Sequence, residues 1–226
     1  MRFALVFLIA LVLPLPDGNG ALAQSPGVAA ERIKRASAVK AGYGAVVISI
    51  RSELYLDEPI DVFFLKEGGD SNNNSDVVRF SRRQNPLSFS NSSVKHKVRA
   101  YQLPAGTYRL IAHGMDCPKV PAENERCLID RTGLTDKVEI SRPSRGYGEI
   151  APTFEVHAGQ MTYAGDFALT ARNTLEWSEL PSNELAKIRR RMNGMPQGPS
   201  PVIPESFKLK YGLFPRSYGD DRRRRY

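Results

Sequence analysis

Two cysteines, three histidines and a crowd of cations near the C-terminus are the residues whose chemistry could give this chain a function. Cys117 and Cys127 bracket CPKVPAENERC, a polar loop with prolines at 118 and 121. An even cysteine count in an exported chain predicts a disulfide. Closing a loop of this length removes about 2–3 kcal/mol of unfolded-state entropy. The competing reading is a metal site on His113, Asp116, Cys117 and Cys127, but the spacing matches no standard zinc pattern. The C-x-x-C of a redox-active pair is absent.

The catalytic search is mostly negative. The chain has no G-x-S-x-G, H-E-x-x-H, G-x-x-x-x-G-K-[ST] or G-x-G-x-x-G. His96 falls on the apolar side of an alternating run and reads as a half-buried structural residue. His157 follows Val156 and should face solvent. His113 ends a strand just before the cysteine loop. Asp166, in YAGDF, is expected to accept hydrogen bonds from a neighbouring turn rather than to move a proton. No catalytic residue, metal or cofactor is assigned, and the chain reads as a non-enzyme.

The charge is strongly segregated. Residues 187–226 hold 11 Lys or Arg against 3 acids, which accounts for the whole net charge of +8. The remainder is neutral. The candidate anion-binding residues are Arg189, Arg190 and Arg191, then Lys208 and Lys210, then Arg222, Arg223, Arg224 and Arg225. A basic, partly aromatic segment seeks anions with little specificity.

The elements that must position these residues begin with an address. Arg2 precedes Phe3 to Leu13, an unbroken apolar run of 11 residues. Pro14 and Pro16 break it, and Ala21-Leu22-Ala23 is a small-x-small cleavage pattern. The run is shorter than the roughly 20 residues that span a bilayer. We expect a signal peptide over 1–23, cleaved near Ala23, a periplasmic or secreted product, and no transmembrane segment in the mature chain. Nucleic acid is therefore not an expected partner. Phospholipid headgroups, lipopolysaccharide phosphates and peptidoglycan carboxylates are, with an unidentified protein as the other possibility.

Residues 24–43 read as a lead-in, frayed or weakly helical, with Ala30, Ile33 and Ser37 on one face. From Gly44 to 178 the pattern is that of strands: Ala45 to Ile50, Ile60 to Lys66, Val77 to Phe80, Leu87 to Phe89, Val94 to Ala100, Thr107 to Ala112, Cys127 to Asp130, Pro152 to Val156 and Met161 to Thr170. About eight short strands with turn signals and no long helices between them predict a mainly β fold, a single antiparallel β-sandwich of 7–8 strands. Tyr108, Leu110 and Ala112 should share one face, Phe154 and Val156 the matching one, and Tyr163, Phe167 and Leu169 another.

Two stretches share a grammar. LPAGTYRL at Leu103 to Leu110 and VHAGQMTYAGD at Val156 to Asp166 each run from a strand through Ala-Gly into a second strand. The pair resembles the small sandwiches of exported bacterial proteins in the carboxypeptidase regulatory-like, or transthyretin-like, group. The resemblance covers about Gly44 to Arg172. It implies a non-catalytic domain of the cell envelope and carries over no catalytic residue.

A helix is predicted over 182–194, with Ser182 as N-cap, Glu184 in the first turn and Asn193-Gly194 as the stop. Leu185, Ile188 and Met192 should cover the edge or an open end of the sandwich. From 195 to 226 the prolines predict an extended, partly polyproline basic tail. In it Phe207, Leu209, Tyr211 and Leu213 alternate with Lys208, Lys210 and Gly212, the pattern of an edge strand or a partner anchor. The expected function is a non-enzymatic envelope module whose tail contacts anionic material. The alternative is a carbohydrate- or protein-binding module with Tyr43, Tyr101, Tyr147 and Trp177 as contacts. A small metal-dependent hydrolase is the third reading.

Overall fold

The computed structural model describes residues 27–52, 60–71, 73, 75–82, 96–115, 126–129, 138–141, 151–169 and 175–208. The signal segment and the alternating run at Val94 and Lys95 lie outside these residues, as do Leu87 to Phe89, Cys117, Tyr147, Lys210 and Arg222 to Arg225.

The fold is a mainly β sandwich, with one short α-helix among the described residues. The first sheet joins β1 (Val28–Ala29), β5 (Val77–Arg82), β4 (Ile60–Lys66), β7 (Gly106–Met115) and β10 (Thr153–Val156), in that spatial order. The second joins β12 (Leu175–Ser178), β11 (Met161–Leu169), β3 (Tyr43–Ser52), β6 (Arg99–Pro104) and β2 (Glu31–Ile33). A separate ribbon pairs β8 (Arg126–Ile129) with β9 (Val138–Ser141). Both sheets are mixed rather than purely antiparallel: β11 runs parallel to β3, and β1 parallel to β5. A parallel pair needs a long crossover between its strands, and here β4, β5, β7 and β10 of the opposite sheet lie within that crossover, together with β6 and the ribbon.

The repeated Ala-Gly grammar has one structural meaning. Each copy carries the chain from one sheet to the other, since β6 and β7 belong to different sheets, as do β10 and β11. Both corners lie at the same end and clasp the start of β3. Ala105 N–H donates to the Gly42 carbonyl and Gly159 N–H to that of Tyr43. A Cβ on Gly44 would collide with the His157 carbonyl, which is why the narrowest residue sits between the corners. Side chains tie each corner shut: Tyr108 Oη donates to the Pro104 carbonyl at 2.9 Å, and Thr162 Oγ1 to that of Glu155 at 2.7 Å. Burial pushes the Tyr108 phenol up to about 12.

Between the sheets lies an aromatic core. Phe64 packs against Phe154 at 5.0 Å, Phe80 against Tyr101 at 5.1 Å, and Tyr108 stacks on Phe154 at 5.6 Å. Such pairs add about 0.5–1.5 kcal/mol each beyond their buried area. Two bulges redirect side chains that simple alternation places elsewhere. The register slips between Phe63 and Phe64 where they face Ala112 and Leu110, so Ile111 and Ala112 both join Phe63, Leu65 and Val77 outside the first sheet. In β11 the slip at Gly165 puts Tyr163 on the outer face while Phe167 and Leu169 enter the core. Gly165 has φ +108°, and a Cβ there would run into the Trp177 indole. Strain and overpacking together predict that Gly165→Ala lowers stability by at least about 2 kcal/mol. Urea unfolding measures it, and a loss below about 0.5 kcal/mol would mean that the bulge relaxes freely.

Several boundaries differ from the sequence reading. The described part of the lead-in, residues 27–43, is not helical apart from a 3-10 turn at Ala36–Ala38; its β1 and β2 add one edge strand to each sheet. Short strands with little apolar content gain stability from partners rather than from propensity. In the described part of the run Val94 to Ala100, pairing with β3 begins at Arg99, opposite Ile48. The helix α1 (Ser182–Arg191) is capped at Pro181, not Ser182, with Glu184 N–H bonded to Asn183 Oδ1 at 2.8 Å. It covers neither edge nor end. Ile188 and Met192 press on Ile33, Ala45, Val47, Ala100 and Met161, the outer face of the second sheet.

The segment after the helix is extended, as its prolines predict, yet it is also packed. Met161 N–H donates to the Pro196 carbonyl and Gly198 N–H to that of Met161, while Thr153 and Val202 exchange a pair of backbone bonds. Phe207, 5% exposed, then plugs the main core. Residues 196–208 therefore form a strap that bridges both sheets.

Candidate functional site

The chemistry-bearing residues gather on the outer face of the second sheet, beyond the ground covered by α1. Asp166 on β11 sits opposite Ser49 on β3 and Ser178 on β12. Its side chain is wholly buried. Arg51 Nε donates to Oδ2 at 2.5 Å, Ser178 Oγ to the same oxygen at 3.2 Å, and His96 Nδ1 stands 3.3 Å from Oδ1. Burial alone would raise the Asp166 pKa. The polar approach of His96, the charge of Arg51 and the nearby Ser49 hydroxyl outweigh it and hold the carboxyl below its ordinary value.

A second arginine closes the end of the sandwich. Even-numbered residues of β3 point their backbone groups toward β6, but β6 ends at Arg99 opposite Ile48. The Ile50 carbonyl therefore has no strand to meet, and Arg82 Nη1 donates to it. Burial pushes the Arg82 guanidinium down to about 10; Asp166 opposes that, and Arg99 and Arg51 add to it. One buried carboxylate thus pairs with Arg51 and acts through its charge on Arg82. A nucleophile site of the Ser-His type needs a hydroxyl bonded to an imidazole. Here the Ser178 hydroxyl serves the carboxylate and Arg51 neutralises it, while the Ser49 hydroxyl makes no hydrogen bond among the described residues.

The structure places the sequence candidates separately. His113 lies within β7 opposite Val62 and is buried, at a distance along the fold from His96. His157 is exposed beside Glu155, 3.2 Å away. Cys127 pairs with Ile140 in the ribbon. Among the described residues no group of three His, Cys, Asp or Glu side chains could hold a metal ion. Of the aromatic contacts, Tyr101 is buried in the core and Trp177 donates its indole N–H to the Ala164 carbonyl at 2.8 Å. Tyr43 lines a cavity of about 250 Å³ at the corner end with Tyr108, Gln102, Glu31 and Lys66.

The cations of α1 divide. Arg189 is engaged at home: Nε donates to Tyr163 Oη at 2.8 Å, Nη2 to Gln197 Oε1 at 3.1 Å, and the guanidinium lies over the Tyr163 ring. It clamps the start of the strap. Arg190 and Arg191 are exposed, and Lys208 at the end of the strap pairs with Glu205 at 2.6 Å. Composition also hides a local excess. The neutral domain gathers Arg32, Lys34, Lys97 and Arg99 beside Arg191. Alternating charge in the linear chain offers no sign of this, because only strand pairing brings β2 against β6.

No protein-family model matches the chain, and no curated protein does. A leucine-rich repeat protein from Bacteroides thetaiotaomicron is similar in structure over 56% of this chain and 14% of its own, at 16% identity and a TM-score of 0.26. The chain thus spans a small part of that protein, and a likeness of this size carries no argument. No helix among the described residues is long and apolar enough to cross a membrane.

Proposed function

We propose that the chain is an exported, non-catalytic protein of the cell envelope, a sandwich module that presents a basic tail to anionic envelope material, with Cys117 and Cys127 closing the insert as a disulfide. The observation that carries this reading is the strap. Residues 196–208 are bonded along both sheets, and Lys208, after which the basic tail begins in sequence, is held beside Trp177. Those 18 residues hold 6 Lys or Arg against 2 acids. Near an anionic membrane each cation contributes about 1 kcal/mol before screening. The neutralised Asp166 cluster and the apolar two-sheet core support a scaffold role, and the signal-like segment supports the location.

The test is co-sedimentation with anionic liposomes, neutral liposomes and peptidoglycan, at low and high salt. The full chain is compared with one ending at Lys208, which keeps the strap. We expect binding to the anionic surfaces that weakens with salt and falls at least about tenfold without the tail. Equal binding by the two chains, or none by either, would overturn the proposal.

A further inference from the structure

The chain crosses from the first sheet to the second at Ala30, between β1 and β2, and under that crossing the sheets leave a cavity of about 250 Å³. Its walls are mostly apolar. Val78 and Tyr108 come from the first sheet and Leu103 from the second, and all three belong to the main core. Val28 stands opposite Val78 in register, and Ala30 packs against the same core, so both face inward. Val28 is nevertheless 51% exposed, because the cavity lies in front of it. An inward-facing apolar wall left in contact with water favours an apolar ligand.

One cation joins this wall. Along β4, Ile60, Val62 and Phe64 turn into the core, and alternation carries Lys66 to the same face, opposite Tyr108. Its stem crosses the corner glycine: a Cβ on Gly106 would lie 2.7 Å from Lys66 Cε. The corner thus fixes the stem, and Lys66 lines the cavity. The other charged groups of the lining are already engaged. Glu31 is bound by Lys40 at 2.7 Å, and Asp76 Oδ2 accepts from the Asp70 N–H and the Asn73 amide, each at 3.1 Å. Lys66 Nζ has no hydrogen bond or ion pair among the described residues. Unpaired cations are ordinary on this surface, but one on the wall of an apolar cavity can neutralise the head group of a ligand. A single ammonium balances a single negative charge, and the two carboxylates nearby disfavour a doubly charged phosphate. About 150 Å³ of apolar space takes the six carbons of benzene, so this cavity takes a chain of roughly six to ten.

We propose that the cavity binds a small amphiphile, an aliphatic carboxylate of about six to ten carbons. Its chain lies among Val28, Val78, Leu103 and Tyr108, and its carboxylate meets Lys66. The site goes beyond the envelope reading and needs neither the tail nor a membrane. Titration calorimetry of the full chain with butanoate, hexanoate, octanoate, octanol and octylamine tests it. We expect octanoate to bind the wild type at least about tenfold more tightly than butanoate, since each buried methylene contributes a factor of about four. Lys66→Gln should weaken octanoate at least about fivefold and octanol less than about twofold. Val28→Trp, on a two-residue edge strand, fills the cavity from its open side and should weaken both at least about tenfold. Lys187→Gln removes the same charge from the exposed helix and should change neither.

Absence of saturable octanoate binding by the wild type below about 10 mM would overturn the site. Equal affinities for butanoate and octanoate would do the same, as would equal losses in Lys66→Gln and Lys187→Gln, which reduce the effect to bulk charge. Tighter binding of octylamine than of octanoate would also overturn it, by making Glu31 or Asp76 the head-group partner. Should Val28→Trp not unfold cooperatively, the chain-length series in the wild type still reads the cavity.

Discussion

Asp166→Ala will lower the unfolding free energy by about 3–5 kcal/mol, the usual loss when one partner of a buried ion pair is removed. Arg51, 8% exposed at its side chain, would keep its charge with the carboxylate gone. Arg82, whose charge Asp166 also moderates, would repel it. The pair itself is not the stabilising element, because desolvation consumes most of its Coulomb energy. A double variant, Arg51→Met with Asp166→Leu, should therefore recover most of the loss. Urea unfolding of the three chains settles the matter, and a cost below 1 kcal/mol for Asp166→Ala would mean that water reaches the cluster.

The same carboxyl gives a pH signature. Its folded pKa lies below the ordinary 3.8, so its contribution is complete above that value and is lost as pH falls through the folded pKa. Stability of the wild type should fall in this acid range more steeply than that of Asp166→Asn, which has no proton to gain. Parallel acid limbs for the two proteins would contradict the ion pair.

Ending the chain at Met195 will destabilise the domain severely, whereas ending it at Lys208 will not. The shorter chain loses the backbone bonds from Pro196 to Met161 and between Thr153 and Val202, and it loses Phe207 from the main core. Phe207→Ala in the full chain isolates the plug and should cost about 3–5 kcal/mol, the range for emptying a buried phenylalanine site. Thermal unfolding with and without the strap gives the comparison. Equal midpoints for the chains ending at Met195 and Lys208 would show the strap to be an ornament. The result also governs how the tail is studied, since a cut at Met195 would confuse loss of charge with loss of fold.

Much of the local pattern was legible. Ile60–Lys66, Arg126–Ile129 and Met161–Leu169 match the sequence reading to within a residue or two, because β-branched and aromatic runs between turn residues admit little else. The spacing of Leu185, Ile188 and Met192 placed the helix. The weak spots have a common cause. β1 and β2 are short, and their stability comes from neighbours remote in the chain. The bulges at Ile111 and Gly165 flip the faces downstream, and a period-2 count cannot register an inserted residue.

The candidate site was less legible still. Asp166 was expected to accept bonds from a turn; its partners instead come from positions 51, 96 and 178, on other strands and a connecting segment. The tail was expected to hold all the basicity, and its charge sum is correct, yet sums carry no geometry. From composition and order alone come the strand class, the helix, the signal-like start and the net charge, since each depends on neighbours along the chain. The two sheet-crossing corners, the buried pair of Arg51 and Asp166 and the strap exist only once distant segments meet. Burial and like-charge crowding are properties of that meeting, and a linear sequence does not contain them.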